Sequence, residues 1–181
     1  MSAIKVGIVG TGSVASSVHL PILTRRTDLF EIVALADLNV NAAYALADRF
    51  GISRDVCFAD PKKMIDSKEV DAVLILNSGS HAEIVEMALR AGKTVFCEKP
   101  LAYSRAELKA IEKAKSESGS ALMIGYMKTF DPAVIEAQKA IKTRPRTVDV
   151  LVLHPSGDSQ LVTSDESLNM PKPSAELIEL F

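Results

Sequence analysis

Short apolar runs alternate with amphipathic stretches from residue 4 to about residue 125. Ile4, Val6, Ile8 and Val9 form a β-branched run that stops at glycines, and Ser13–Arg25 then reads as a helix with Val14, Val18, Ile22 and either Leu23 or Arg25 around its turns. Pro21 lies inside that helix, where it lacks a backbone donor, so it is expected to kink or shorten it. Glu31–Ala36 reads as a second strand ending at Asp37. Asn41 is the expected cap of a helix through Ala42, Ala43, Leu46 and Ala47 to Phe50, with Gly51 as the left-handed stop. Val56–Phe58 is a short strand, and Asp60-Pro61 opens a helix to about Asp66.

Ala72–Leu76 is continuously apolar, as a strand covered on both faces would be. A helix over Ala82–Ala91 ends at Gly92, and Thr94–Cys97 is the fifth strand. Ser104 and Glu107 make a capping box for a helix through Ile111 and Lys115, and Ala121–Ile124 is the sixth strand. This alternation predicts an α/β fold, a doubly wound parallel sheet of Rossmann type with strand order 3-2-1-4-5-6 over residues 1–127. Residues 128–181 read as the beginning of an incomplete α+β second domain. In that stretch Asp131-Pro132 opens a helix to Ile141, Thr147–Leu153 reads as a strand, His154–Pro173 shows no period, and Ala175–Phe181 starts a helix.

Between the first strand and the first helix the spacing is G-x-G-x-x-A, at Gly10, Gly12 and Ala15. Gly10 permits the tight turn, Gly12 lets the backbone approach a pyrophosphate, and Ala15 lets the helix pack closely on the strand. Helical N–H groups near Ser13 and Val14 have no partner within the helix and suit an anion. Asp37 ends the second strand about 20 residues further on, where a carboxylate accepts hydrogen bonds from an adenosine ribose. It would repel a 2′-phosphate, and Leu38 and Asn39 follow rather than an arginine, so NAD is favoured over NADP.

Composition narrows the partners. The 181 residues carry 21 Lys and Arg against 23 Asp and Glu, a net charge of −2, which gives no electrostatic argument for nucleic acid. No apolar run approaches a membrane span and no secretory leader is evident, so no membrane partner and a cytoplasmic location are expected. Cys57 and Cys97 suggest buried small side chains rather than a disulfide, and no His, Cys, Asp and Glu cluster has metal spacing. No Gly-x-Ser-x-Gly turn supports a hydrolase of that type.

Glu98-Lys99-Pro100 follows the fifth strand at its carboxyl end, where ligands gather in an open parallel sheet. A lysine there can hydrogen-bond a hydroxyl and stabilise a developing alkoxide, and the bond to Pro100 is a candidate for the cis form. The turn after the fourth strand runs Asn77-Ser78-Gly79-Ser80-His81. Asn77 and the rest of this turn are expected to line a cofactor pocket, with the backbone and the Ser78 or Ser80 hydroxyl as donors and His81 packing the turn. Tyr126 and Lys128 follow the sixth strand; Tyr126 is either a substrate contact or domain-junction packing, and Lys128 is weaker. His19 reads as a surface or boundary residue, and His154 is assigned no role.

The glycine turn, Asp37, the run Ala91-Gly92-Lys93-Thr94-Val95-Phe96-Cys97-Glu98-Lys99-Pro100-Leu101-Ala102 and the run Gly125-Tyr126-Met127-Lys128 occur together and in order. Together they resemble the N-terminal part of the Gfo/Idh/MocA oxidoreductase family, over about residues 4 to 150. The resemblance implies a Rossmann domain that binds a nicotinamide cofactor, with Lys99 near the nicotinamide and the reacting sugar, polyol or cyclitol. Lys99 and Tyr126 are then the catalytic candidates. Gly10, Gly12, Ser13, Val14, Asp37, Asn77, Ser78, Glu98, Lys99 and Pro100 are the cofactor contacts, and the full-length protein is expected to be a homo-oligomer. The commonest family form of the fourth-strand turn is Thr-Pro-Asn before a histidine; here the turn is one residue shorter. A second reading is a non-catalytic dinucleotide-binding module that regulates or contacts another protein. A methyltransferase of similar fold is disfavoured, because the Glu98-Lys99-Pro100 run has no role there.

Overall fold

The computed structural model describes residues 2–141 together with Thr143, Thr147 and Asp149. Six parallel strands form one sheet: β1 (Ile4–Val9), β2 (Phe30–Ala36), β3 (Cys57–Phe58), β4 (Ala72–Ile75), β5 (Thr94–Cys97) and β6 (Leu122–Ile124). Their order is β3-β2-β1-β4-β5-β6, the doubly wound arrangement expected from the alternation.

Helices cover both faces because side chains alternate along each strand. Val6 and Ile8 of β1, with Leu35 and Leu76, pack on Ala15, Leu20 and Leu23 and on Ala43, Leu46 and Ala47 of α2 (Val40–Phe50). Val9, Val73, Ile75 and Val95 pack on the opposite face against Met64 and Ile65 of α3 (Pro61–Ile65) and Val85 and Leu89 of α4 (Ala82–Arg90). Ile111 and Ala114 of α5 (Arg105–Ser118) complete that layer. Each buried Ile, Leu or Val contributes about 1.5–3 kcal/mol over its exposed state.

The first helical segment departs from a plain helix. A π-helical turn over Ala15–His19 runs into α1 (Leu20–Leu23), with the Leu20 N–H donating to the Ala15 carbonyl. Pro21 offers no N–H and its ring crowds the preceding turn. The wider turn accommodates it, and the helical path continues instead of breaking. Ala15, Leu20 and Leu23 face the sheet, while Val14, Val18 and Ile22 stay exposed. The cap of α2 also differs: Asn39, not Asn41, is the N-cap, and its side chain accepts from the Asn41 N–H. Asp60 and Ser104 cap α3 and α5 as expected, and the capping box with Glu107 is formed. Lys93 donates to the Ser67 and Val70 carbonyls, both at 2.7 Å, and so ties the start of β5 to the loop after α3.

Residues up to Gly125 form one compact unit, and a second begins at Tyr126. Within the second, a 3₁₀ turn over Met127–Phe130 precedes α6 (Pro132–Ala140), which Asp131 caps by accepting from Ala133 N–H. The expected strand over Thr147–Leu153, the aperiodic stretch with His154, and the terminal helical start lie outside the described residues, apart from Thr147 and Asp149.

Candidate dinucleotide site

Strand register aligns the candidate residues along the carboxyl edge of the sheet. Val9 pairs with Ala36 and with Ile75, Ile75 with Cys97, and Cys97 with Ile124. The residues just beyond these partners are therefore neighbours. Main-chain bonds continue the ladder: Gly10 N–H to Ala36 O, Leu76 N–H to Val9 O, Glu98 N–H to Ile75 O, and Gly125 N–H to Cys97 O.

Gly10 has φ +88°, and a Cβ placed there would lie 2.3 Å from the Asn77 nitrogen. It is therefore needed twice, for the turn and for the backbone of the β4 turn passing against it. Gly12 has no atom within 4 Å of where a Cβ would sit, so open space fronts the turn. Gly12, Ser13 and Val14 are exposed, while Ala15 is fully buried under the helix.

Asp37 is already oriented. The Thr11 N–H and hydroxyl both donate to its Oδ2 at 2.8 Å, and the Asn39 N–H donates to Oδ1 at 2.9 Å. Thr11 is wholly buried. Oδ1 keeps a free lone pair for a ribose hydroxyl, since each carboxylate oxygen accepts about two bonds. Thr11 was not singled out from the sequence, where it is only the residue between two glycines.

Asn77 donates from Nδ2 to the Ser78 and Ser80 carbonyls, which fixes its amide orientation. Its Oδ1 is buried without a partner, an acceptor in want of a donor. Ser78 is exposed. The Ser80 hydroxyl donates to Glu107 at 3.0 Å and accepts from the Ala82 N–H, so its proton is already used within the fold. The expected donor role for Ser80 is therefore not available, and Ser78 is the hydroxyl left at this turn. His81 is 3% exposed and its ring lies between the Asn77 and Pro100 carbonyls.

At the end of β5, the peptide between Lys99 and Pro100 is cis. Glu98 Oε2 accepts from the Lys99 N–H at 3.2 Å, and Oε1 lies 3.3 Å from His19 Nε2. The His19 ring meets Phe96 edge-on, with centroids 5.3 Å apart. A Cβ on Gly125 would lie 3.2 Å from both Glu98 Cδ and Phe96 Cζ, so glycine is what admits the carboxylate there. His19 thus binds the helix after the glycine turn to the residue before Lys99; it is the boundary residue expected from sequence, half-buried, with a contact to Glu98 that the sequence does not indicate. The Lys99 side chain is exposed. Burial pushes the nearby Cys97 thiol up to about 12, with the Glu98 charge adding to it. Tyr126, 52% exposed, belongs to the second unit, where its carbonyl accepts from Thr129.

These features fit a dinucleotide: an open glycine turn, a carboxylate with spare acceptor capacity, and an unpartnered buried amide oxygen. Among the described residues no helix is long and apolar enough to cross a membrane. Residues 4–126 match the model of the oxidoreductase family described by its NAD-binding Rossmann fold. Inositol 2-dehydrogenase of Azotobacter vinelandii is 33% identical over 153 residues, covering 83% of this chain and 44% of that protein. Inositol 2-dehydrogenase 3 of Saccharopolyspora erythraea is 37% identical over 140 residues, covering 76% of this chain and 40% of its own. Scyllo-inositol dehydrogenase from Lactobacillus casei, solved with NAD(H) and scyllo-inositol, superposes with a TM-score of 0.68 at 26% identity, over 77% of this chain and 41% of that one. A 3-ketoreductase from Actinomadura kijaniata, in complex with NADP, gives 0.67 at 30% identity, over 77% and 44%. The chain spans less than half the length of these relatives. It belongs to the Gfo/Idh/MocA oxidoreductase family, and residues 4–126 are its NAD-binding Rossmann domain.

Proposed function

We propose that the protein is a nicotinamide-dependent dehydrogenase acting on a sugar, polyol or cyclitol hydroxyl, with NAD preferred to NADP. The observation that carries this reading is Asp37, held by Thr11 and Asn39 beside the glycine turn with acceptor capacity to spare. A fixed carboxylate there favours a free ribose diol and repels a 2′-phosphate. The inositol dehydrogenases among the relatives support the substrate class.

Gly10, Gly12, Ser13 and Val14 would hold the pyrophosphate with main-chain N–H groups. Asn77 and Ser78 would take the middle of the dinucleotide, where the Asn77 Oδ1 gains a hydroxyl donor. Glu98 and Pro100 set the backbone around Lys99. When bound, the nicotinamide supplies the hydride acceptor or donor. Lys99, exposed at the carboxyl edge, donates a hydrogen bond to the substrate oxygen and stabilises negative charge developing on it. Tyr126 is proposed as a second substrate contact on its sequence position after Gly125 alone. A division of function at 127/128, two residues past the break between compact units, into a cofactor domain and the start of a substrate domain, and a homo-oligomeric whole protein belong to the same proposal. So does a cytoplasmic location, which the free thiols Cys57 and Cys97 support.

The test is a fluorescence titration of the full chain with NADH and NADPH. Tighter binding of NADH is expected; binding of neither would remove the reading. Incubation with NAD and myo- or scyllo-inositol then tests turnover, read as NADH formed.

A further inference from the structure

Three donors meet the Asp37 carboxylate, and they are of two kinds. The Thr11 N–H donates to Oδ2 at 2.8 Å and the Asn39 N–H to Oδ1 at 2.9 Å. Any residue but proline at those two positions supplies these main-chain bonds. The third bond, from the Thr11 hydroxyl to Oδ2 at 2.8 Å, depends on which residue stands between Gly10 and Gly12. Thr11 is wholly buried, whereas the glycine and serine that follow it are exposed. Its hydroxyl therefore works on Asp37 rather than on a ligand in front of the turn.

A carboxylate oxygen accepts about two bonds. Thr11 fills Oδ2, and the remaining capacity lies on Oδ1. We propose that Thr11 is a positioning residue that sets the choice between NAD and NADP: its hydroxyl fills Oδ2 and pins the carboxylate, so that Oδ1 alone is presented to the adenosine ribose. A ribose hydroxyl donates to Oδ1. A 2′-phosphate brings negative charge instead, and a pinned carboxylate cannot turn away from it. The proposal rests on the reading of Asp37 as the ribose contact.

Valine has the shape of threonine with a methyl in place of the hydroxyl. In Thr11→Val that methyl stands against Oδ2, where the carboxylate oxygen loses a donor and no water replaces it. The carboxylate is then drawn toward solvent and is no longer held at one angle. NADH loses a fixed acceptor, and NADPH is relieved of a fixed charge. Thr11→Ser gives up the buried methyl but keeps the donor, so it separates packing from hydrogen bonding.

The test is a fluorescence titration of the full chain with NADH and with NADPH, in the wild type, Thr11→Val and Thr11→Ser. The wild type is expected to favour NADH. In Thr11→Val the ratio of the two affinities should fall roughly tenfold, as for one hydrogen bond to a charged group, mostly through weaker NADH binding. Thr11→Ser should keep the wild-type ratio even where it melts at a lower temperature. An unchanged ratio in Thr11→Val, or an equal fall in both affinities, overturns the proposal and leaves the ribose reading of Asp37 standing. A serine ratio as low as that of valine overturns it as well, because packing and not the hydroxyl would then be at work. Should Thr11→Val not fold, Thr11→Ala removes the donor without setting a methyl against Oδ2; a lower ratio is again expected, and an unchanged one again overturns the proposal. A wild type that binds NADPH as tightly as NADH, or binds neither, removes the ribose reading itself and the proposal with it.

Discussion

At the β1–β2 half of the carboxyl edge, Asp37 takes its partners from Thr11 and from Asn39, 26 and 2 positions away. At the β4–β5 half, His81 reaches Pro100 across 19 positions and Glu98 reaches His19 across 79. The first half is a strand, a turn and the end of the next strand, and its main-chain geometry sets it. The second is held by side chains that meet only once the sheet has formed. It follows that the first should tolerate little change in backbone and the second little change in side-chain chemistry.

The largest effect is expected at Gly10, where the two halves touch. Gly10→Ala places a Cβ 2.3 Å from the Asn77 nitrogen at a φ of +88°. The left-handed backbone alone costs about 1–2 kcal/mol, and overlap with main chain takes the loss beyond about 4 kcal/mol. Urea denaturation should show a chain that is largely unfolded. Gly12→Ala meets nothing within 4 Å. Its stability should stay within about 0.5 kcal/mol of wild type while NADH binding weakens. Equal stability of the two variants would break the distinction between a glycine the fold needs and a glycine the ligand needs.

Asp37→Asn comes next. The amide keeps one acceptor oxygen but turns an NH₂ toward either Thr11 or Asn39, both of which donate. NADH affinity should fall roughly 10–100-fold, as for loss of a bond to a charged acceptor, and stability by about 1–3 kcal/mol. NADPH should lose less, because the repulsion of its 2′-phosphate is relieved. Equal losses for the two cofactors would count against the ribose assignment.

Gly125→Ala tests the second half alone. The added methyl lies 3.2 Å from Glu98 and from Phe96, close enough to displace the carboxylate from His19. A stability loss of about 1 kcal/mol is expected, at the lower end for overpacking. AMP, which needs only the Asp37 half, should bind as before, while NADH binds more weakly. A parallel loss for both ligands would mean that the halves are not separable.

This contrast also explains how much the sequence reveals. The placement of Gly10, Gly12, Ala15 and Asp37 is legible because it follows from local geometry and spacing along one β-turn-α-β unit. The position of Lys99 at the carboxyl edge is legible because the run Glu98-Lys99-Pro100 directly follows the fifth strand. His19 is not, since nothing near it in the chain points to Glu98; its contact depends on the π turn before Pro21 and on the absence of a side chain at Gly125. Thr11 is hidden for a different reason. Any residue fits between two glycines, and only the folded turn shows its hydroxyl buried against Asp37. Ser80 misleads in the opposite sense, as its hydroxyl caps α4 and serves Glu107.

The smallest expected effect lies at Glu107, and it asks whether α5 steadies the β4 turn. Its carboxylate accepts from the Tyr103 and Ser104 N–H groups, both at 2.8 Å, and from the Ser80 hydroxyl at 3.0 Å. The Tyr103 main-chain bond first, then Ser80, holds its carboxyl pKa below the ordinary carboxylate value. A folded-state value below the unfolded one contributes stability that is fully present above the unfolded value of about 4.3 and is lost as pH falls through the folded one. The melting temperature of wild type should therefore drop on acidification by more than that of Glu107→Gln, and the gap between the two should close at low pH. Amide exchange at Gly79–Ala82 should quicken in the variant at neutral pH, because Ser80 loses its ionised acceptor and the turn bearing Asn77 and His81 loses a tether. Parallel melting profiles with unchanged exchange would show that the capping box serves α5 alone and that the second half of the edge is held only by His81 and Glu98.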